Sequence, residues 1–279
     1  MKLYRLIDAV IIDDGVCPCL YHADWDELIN RDDLSQFLIQ LTASNNLDDP
    51  PPDWIQQIVA PLVSQEVWAA GVTYFRSRTA RMAESQDAGG DSFYDHVYNA
   101  ERPELFLKAT PHRVAGPNAG VRIRRDSRWN VPEPELALVV TKTGRIIGFT
   151  IGNDMSSRDI EGENLLYLPQ AKVYDRSCAV GPWIIVGSTE NEVRSWTVHI
   201  RIQRANKVIF QGETSISQIK RAFTELIGYL YRSQSFPNGA VLLTGTGIVP
   251  PGDFSLQVAD NIQINISGIG SLENTVKLV

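Results

Sequence analysis

The chain has 279 residues, enough for one large domain or a large domain with a small companion. It is 43% hydrophobic and 21% charged, an ordinary globular balance, and its net charge of -7 gives no electrostatic reason to expect nucleic acid or an anionic membrane as partner. Three cysteines, Cys17, Cys19 and Cys178, lack the paired spacing of a disulfide framework and are expected to be ordinary buried thiols in a reducing cytoplasm.

In chain order, Leu3 to Ile12 reads as a strand, and Asp8 interrupts any signal-like apolar run. No apolar run reaches the roughly 18 residues that a membrane span needs. A helical pattern follows from Trp25 to Thr42. The stretch from Asn45 to Asp53 holds Pro50, Pro51 and Pro52, which cannot donate backbone hydrogen bonds, and reads as a linker. A boundary is placed near residue 60, dividing a small N-terminal α/β domain (1–60) from a larger one (61–279). Beyond it, short β-branched and aromatic runs dominate: Val67–Tyr74, Leu136–Val140, Ile146–Ile151, Trp183–Val186, Trp196–Ile202, Val241–Leu243 and Ile262–Ile266. Two helices are expected, one from Ser77 to about Glu84 and one from Ser215 or Ser217 to about Arg232. The segment from about Arg78 to Glu101, with Gly89-Gly90, reads as a lid over a substrate. Many strands, few helices and no glycine phosphate fingerprint point to a β-rich α+β fold.

The chemistry concentrates in Glu133-Pro134-Glu135. Residues two apart on a strand share a face. With Thr143-Gly144 as a two-residue hairpin turn, Lys142 pairs with Arg145 and paired positions sum to 287, which sets Glu133 opposite Asp154 and Glu135 opposite Gly152. Opposed Cβ atoms lie roughly 5 Å apart on one face. A three-residue turn would move this register by one. Three clustered carboxylates repel unless a cation lies among them, and hard dications prefer oxygen donors. Spacing and register alone do not decide between this and a solvated edge bearing scattered acids, which they leave ahead. Lys172, if partly desolvated beside a dication, could act as a base.

Together these segments resemble the fumarylacetoacetate hydrolase family. The likeness runs in order through Val72-Thr73-Tyr74, Arg76-Ser77-Arg78, Phe106-Leu107-Lys108-Ala109, Glu133-Pro134-Glu135-Leu136, Gly148 to Asp159, Gln170-Ala171-Lys172, Gly181-Pro182 and Thr244-Gly245-Thr246-Gly247. Within that family, Val131 to Leu136 and Asn153 to Asn164 look like the 2-keto-3-deoxy-D-arabinonate dehydratase branch. The resemblance implies a distorted β-roll or barrel core, a homodimer or homotetramer, and Mg²⁺ or Mn²⁺ held by Glu133, Glu135 and Asp154. It implies Lys172 and Glu104 as catalytic groups, and Arg76, Ser77, Thr244 and Thr246 as substrate contacts. The carbon–carbon hydrolases of the family resemble one another in a His-x-x-Glu pair that activates water. None of His22, His96, His112 and His199 has Glu three residues later, which favours dehydration over hydrolysis.

The implied reaction is loss of water from a 2-keto-3-deoxy sugar acid through a metal-stabilised enolate, with 2-oxoglutarate semialdehyde as the product from a pentonate. The alternatives are an acylpyruvate hydrolase, an oxaloacetate decarboxylase, or a non-catalytic 2-oxo acid binding protein.

Overall fold

The structure, a computed structural model, describes residues 1–44, 47–75 and 97–279. The described strands begin with β1 (Lys2–Arg5), β2 (Val10–Asp13), β3 (Cys19–Tyr21), β4 (Glu66–Gly71), β5 (Glu104–Ala109) and β6 (Val114–Ala115). They continue with β7 (Gly120–Ile123), β8 (Asn130–Val131), β9 (Pro134–Val140), β10 (Ile146–Asp154), β11 (Ser156–Ser157) and β12 (Cys178–Val186). The last are β13 (Thr197–Arg204), β14 (Lys207–Ser215), β15 (Ala240–Leu243), β16 (Asn261–Ile266) and β17 (Gly270–Leu278). The larger sheet runs β3-β2-β1-β12-β10-β9-β15-β4-β5, with β6 beside β12; a second sheet runs β14-β13-β16-β17-β7, and β8 pairs with β11. The described α-helices are short and include α1 (Trp25–Ile29), α2 (Leu34–Ala43), α3 (Arg158–Glu163), α4 (Leu168–Lys172), α5 (Glu190–Val193) and α6 (Phe223–Leu230). The β-rich α+β class holds, but among the described residues neither sheet closes into a barrel.

Apolar runs decide which strands are central. β9 is apolar along Leu136 to Val140 and buried along its whole length, as befits a strand covered on both faces. On one face Leu136, Leu138, Phe149 and Ile151 pack with Val198, Ile200, Ile262 and Ile264, so the main core lies between the two sheets. On the other face Val139, Ile147, Ile184 and Val186 pack under Trp25, Leu28, Leu34 and Leu38 of α1 and α2. The first strands join the larger sheet directly, because Lys2 and Leu3 pair with Ile185 and Ile184 of β12. The sheet is therefore continuous across the boundary expected near residue 60.

Several elements are more broken than the pattern suggests. The expected strand Leu3–Ile12 folds back at Asp8, where Leu6 N–H donates to Ala9 O, and becomes β1 and β2. The expected helix Trp25–Thr42 is interrupted between Asn30 and Asp33; Asn30 caps the first piece, its side chain donating to Asp26 O and accepting from Lys142 N–H. The expected strand Val67–Tyr74 stops at Gly71, since Val72 turns the chain at φ 51. The expected helix near Ser215–Arg232 is a 3₁₀ turn (Ile216–Gln218) followed by α6, because Ile219 makes a bridge to Tyr74 and cannot be helical. The expected helix Ser77–Glu84 and most of the lid segment lie outside the described residues. Cys178 is buried, whereas Cys17 is exposed and Cys19 only half-buried, on the peripheral loop and strand where no core covers them. No described helix is long and apolar enough to cross a membrane.

Candidate active site

The site is built on the β9–β10 hairpin. Its turn is not the expected two-residue one: Thr141 N–H donates to Arg145 O and Gly144 N–H to Thr141 O, leaving a three-residue loop with Gly144 at φ 84. That loop shifts the register by one residue. A bulge at Ile147 then shifts it back, so that Phe149 pairs with Leu138 and Gly152 with Glu135, the sum of 287. The same register continues past the strand, where Asp154 N–H donates to Glu133 O at 2.9 Å. Glu133, Glu135 and Asp154 therefore converge, all buried, with one carboxylate oxygen from each within 4.8 Å of the others. Gly152 leaves room beside Leu243, whose Cδ2 would lie 2.3 Å from any Cβ there.

Cations surround the acids. Lys172, at the end of α4, places Nζ 2.8 Å from Glu133 Oε2 and 3.2 Å from Asp154 Oδ2. Arg158, at the start of α3, lies 2.7 Å from Glu133 Oε1. Lys108, near the end of β5, lies 2.7 Å from Asp154 Oδ1 and donates to Met155 O and Lys172 O. Glu135 accepts from the Gly245 backbone N–H at 2.6 Å. Burial, then the charges of Asp154 and Glu133, push the Glu135 carboxyl well above the usual carboxylate range; Lys172 and the Gly245 N–H pull the other way. A cation among the three acids relieves that repulsion, and a buried donor set made only of carboxylate oxygens suits a hard dication.

A cavity opens over the cluster, lined by Ala70, Gly71, Val72, Glu104, Phe106, Glu133, Glu135, Asp154, Arg158, Glu161, Leu168, Lys172, Thr246 and Val249. Of the residues expected at the site, Glu104, Lys172, Thr246 and the three acids are thus together. Thr244 is not on the wall; its hydroxyl donates to Leu136 O, tying the end of β15 to β9. Arg76, Ser77 and His96 lie outside the described residues, and His22, His112 and His199 are exposed away from the cavity.

Residues 67–277 match the Fumarylacetoacetate (FAA) hydrolase C-terminal family. The chain belongs to the fumarylacetoacetate hydrolase family. Among relatives of this fumarylacetoacetate hydrolase family member, a probable 2-keto-3-deoxyxylonate dehydratase of Haloferax volcanii is 43% identical over 252 residues, 90% of this chain and 85% of the relative. A 2-dehydro-3-deoxy-D-arabinonate dehydratase of Saccharolobus solfataricus is 42% identical over 223 residues, 79% of this chain and 74% of the relative. A solved structure of 2-keto-3-deoxy-D-arabinonate dehydratase complexed with magnesium and 2,5-dioxopentanoate is similar at a TM-score of 0.84 and 33% identity, covering 100% of this chain and 99% of that one.

Three polar residues of this family member's cavity region were given no role from the sequence: Lys108, Arg158 and Glu161. Lys108 carried a signal, a lysine inside the otherwise apolar run Leu105 to Ala109, where an unpaired charge would be too costly to bury. Glu161 is buried at the cavity and accepts from Ser156 Oγ at 2.7 Å, and only the fold of α3 against β11 brings it there.

Proposed function

We propose that this fumarylacetoacetate hydrolase family member is a metal-dependent hydro-lyase that dehydrates a 2-keto-3-deoxy sugar acid. From a pentonate the product is 2,5-dioxopentanoate, which is 2-oxoglutarate semialdehyde. One observation carries this function: the buried cluster of Glu133, Glu135 and Asp154 beside Lys172, in a chain 42–43% identical to two dehydratases of such acids.

Glu133, Glu135 and Asp154 would hold Mg²⁺ or Mn²⁺. When bound, the dication supplies Lewis acidity toward the carboxylate and keto oxygens of a 2-oxo acid. Lys172 takes a proton from C3, and Glu104 protonates the C4 hydroxyl as the C4–O bond breaks and water leaves. A proton then moves from C5 to C3, and the resulting enol becomes the aldehyde as C4 takes a proton. Thr246, on the cavity wall, is a proposed substrate contact; so are Arg76 and Ser77, which lie outside the described residues. Thr244 acts through the backbone, as the anchor of β15. The scarcity of cysteine fits a reducing cytoplasm, and a homodimer or homotetramer is the proposed assembly.

The test is a substrate panel with Mg²⁺: 2-keto-3-deoxypentonates of both C4 configurations, acylpyruvates and oxaloacetate, followed by proton NMR. Growth of the aldehyde signal and its hydrate from one pentonate is expected. Acylpyruvate cleavage or oxaloacetate decarboxylation without aldehyde formation would replace the dehydratase by one of its sister enzymes. Metal binding with no turnover of any of them would leave a binding protein. Glu133→Gln and Glu135→Gln are expected to abolish metal binding by calorimetry, and unchanged affinity would sink the ligand assignment.

A further inference from the structure

β4 ends at Gly71 and β5 begins at Glu104, and the two residues are direct cross-strand partners. Opposed residues project to one face, so their side chains compete for the same space. Gly71 presents none, and the Glu104 side chain folds over it: a Cβ on Gly71 would lie 2.0 Å from Glu104 Oε2 and 2.5 Å from its Cδ. The glycine is not there for its backbone, since its φ lies outside the left-handed region. What it supplies is room.

The backbone cannot give that room by moving. The next residue, Val72, sits at φ 51, a strained place for a β-branched side chain that survives only where neighbours enforce it. They do so here: Thr73 Oγ1 donates to Thr244 O at 2.6 Å, and Lys220 N–H donates to Thr73 O at 3.1 Å. Gly71, Val72 and Glu104 all line the cavity above the acid cluster.

We propose that Gly71 is a positioning residue for the reaction: the missing side chain lets Glu104 lie across β4 into the cavity, and a methyl group at 71 turns the acid away. The inference rests on the catalytic reading of Glu104, and the experiment separates the two. Gly71→Ala, Glu104→Gln and the double variant are compared in kcat, in the pH profile of kcat, and in Mg²⁺ affinity by calorimetry. Glu104→Gln is expected to lower kcat by about 100-fold or more, the usual worth of a general acid. Gly71→Ala is expected to lower kcat by a comparable factor, to remove the same limb of the pH profile, and to leave metal affinity within about twofold. The double variant is expected to be no slower than Glu104→Gln, because residues acting through one group do not add.

Wild-type kcat in Gly71→Ala beside an inactive Glu104→Gln overturns the proposal. So does a double variant slowed by both factors multiplied. Wild-type kcat in Glu104→Gln overturns the catalytic reading of Glu104; a crystal structure of Gly71→Ala then decides the positioning, which fails if the Glu104 carboxylate has not moved. Should Gly71→Ala not fold, Gly71→Ala/Glu104→Ala is expected to fold, because the clash is with that side chain, and an unfolded double variant overturns the proposal.

Discussion

Lys108 shows how much of the site is held by a residue that does not line it. Its Nζ lies 2.7 Å from Asp154 and donates to the carbonyls of Met155 and Lys172, so one buried ammonium fixes a proposed metal ligand and the backbone of the proposed base together. Removing such a charge leaves Asp154 Oδ1 without its partner in a low-dielectric setting and Lys172, at 3.2 Å from Oδ2, as the remaining cation beside that carboxylate. Lys108→Met is expected to weaken Mg²⁺ binding by about 10- to 100-fold, as loss of a ligand's supporting partner does, and unchanged affinity in calorimetry would show that Asp154 orients itself. Lys172→Ala is expected to keep the metal and lose turnover by about 100-fold or more; near-wild-type turnover would remove Lys172 from the chemistry. The cysteines give a check on burial. Burial pushes the Cys178 thiol up to about 12, while Cys17 is exposed. Mass spectrometry after iodoacetamide at pH 8 is expected to find Cys17 labelled first and Cys178 labelled only in denaturant; early labelling of Cys178 would mean that β12 opens in the native state. At this scale the acids and Lys172 were legible as a motif. Lys108 was legible only as an anomaly, because its partners lie at positions 154, 155 and 172, far away in sequence.

The β9–β10 hairpin, as an element, depends on an anchor from outside it. Thr141 and Thr143 hydroxyls donate to Asp32, on the connection between α1 and α2, at 2.7 and 2.8 Å. These hydrogen bonds, Thr141 first, hold the Asp32 carboxyl below its ordinary value of 3.8. A carboxyl depressed on folding contributes stability above its unfolded value and loses that contribution as pH falls through the lower folded one. Asp32→Ala is therefore expected to lower Tm at pH 7 and to flatten the fall in Tm between pH 4 and the acid transition; an unchanged acid limb in thermal melts would show that the anchor carries no pH dependence. The hairpin also marks where sequence reasoning ran out. The sum of 287 was read from a two-residue turn that the structure lacks, and it holds only because a bulge cancels the extra residue of the turn. The compensating bulge at Ile147 lies beside Gly148, which packs so closely on β12 that a Cβ there would lie 2.3 Å from Ile184 and 2.7 Å from the Ile185 carbonyl; a lone glycine in a strand marks a place for a bulge but not the shift it brings.

For the molecule as a whole, the first residues are part of the frame of the site. β1 covers the edge of β12, and α1 and α2 cover the apolar face bearing Val139, Ile147, Ile184 and Val186. A chain begun at residue 61 would expose that edge and that face, so it is expected to aggregate in size-exclusion chromatography. A folded monomer of 61–279 that still binds Mg²⁺ would show instead that the N-terminal elements serve something other than the site. The β-rich class was legible in the composition of the runs, but the union of the N-terminal strands with the larger sheet was not, since a pairing between residues 2 and 185 leaves no local trace. That pairing also orders events at the ribosome. β1 pairs at once with β2 on one side, but its partner on the other side, β12, emerges some 180 residues later, so a nascent chain that ends before β12 leaves that edge of β1 open.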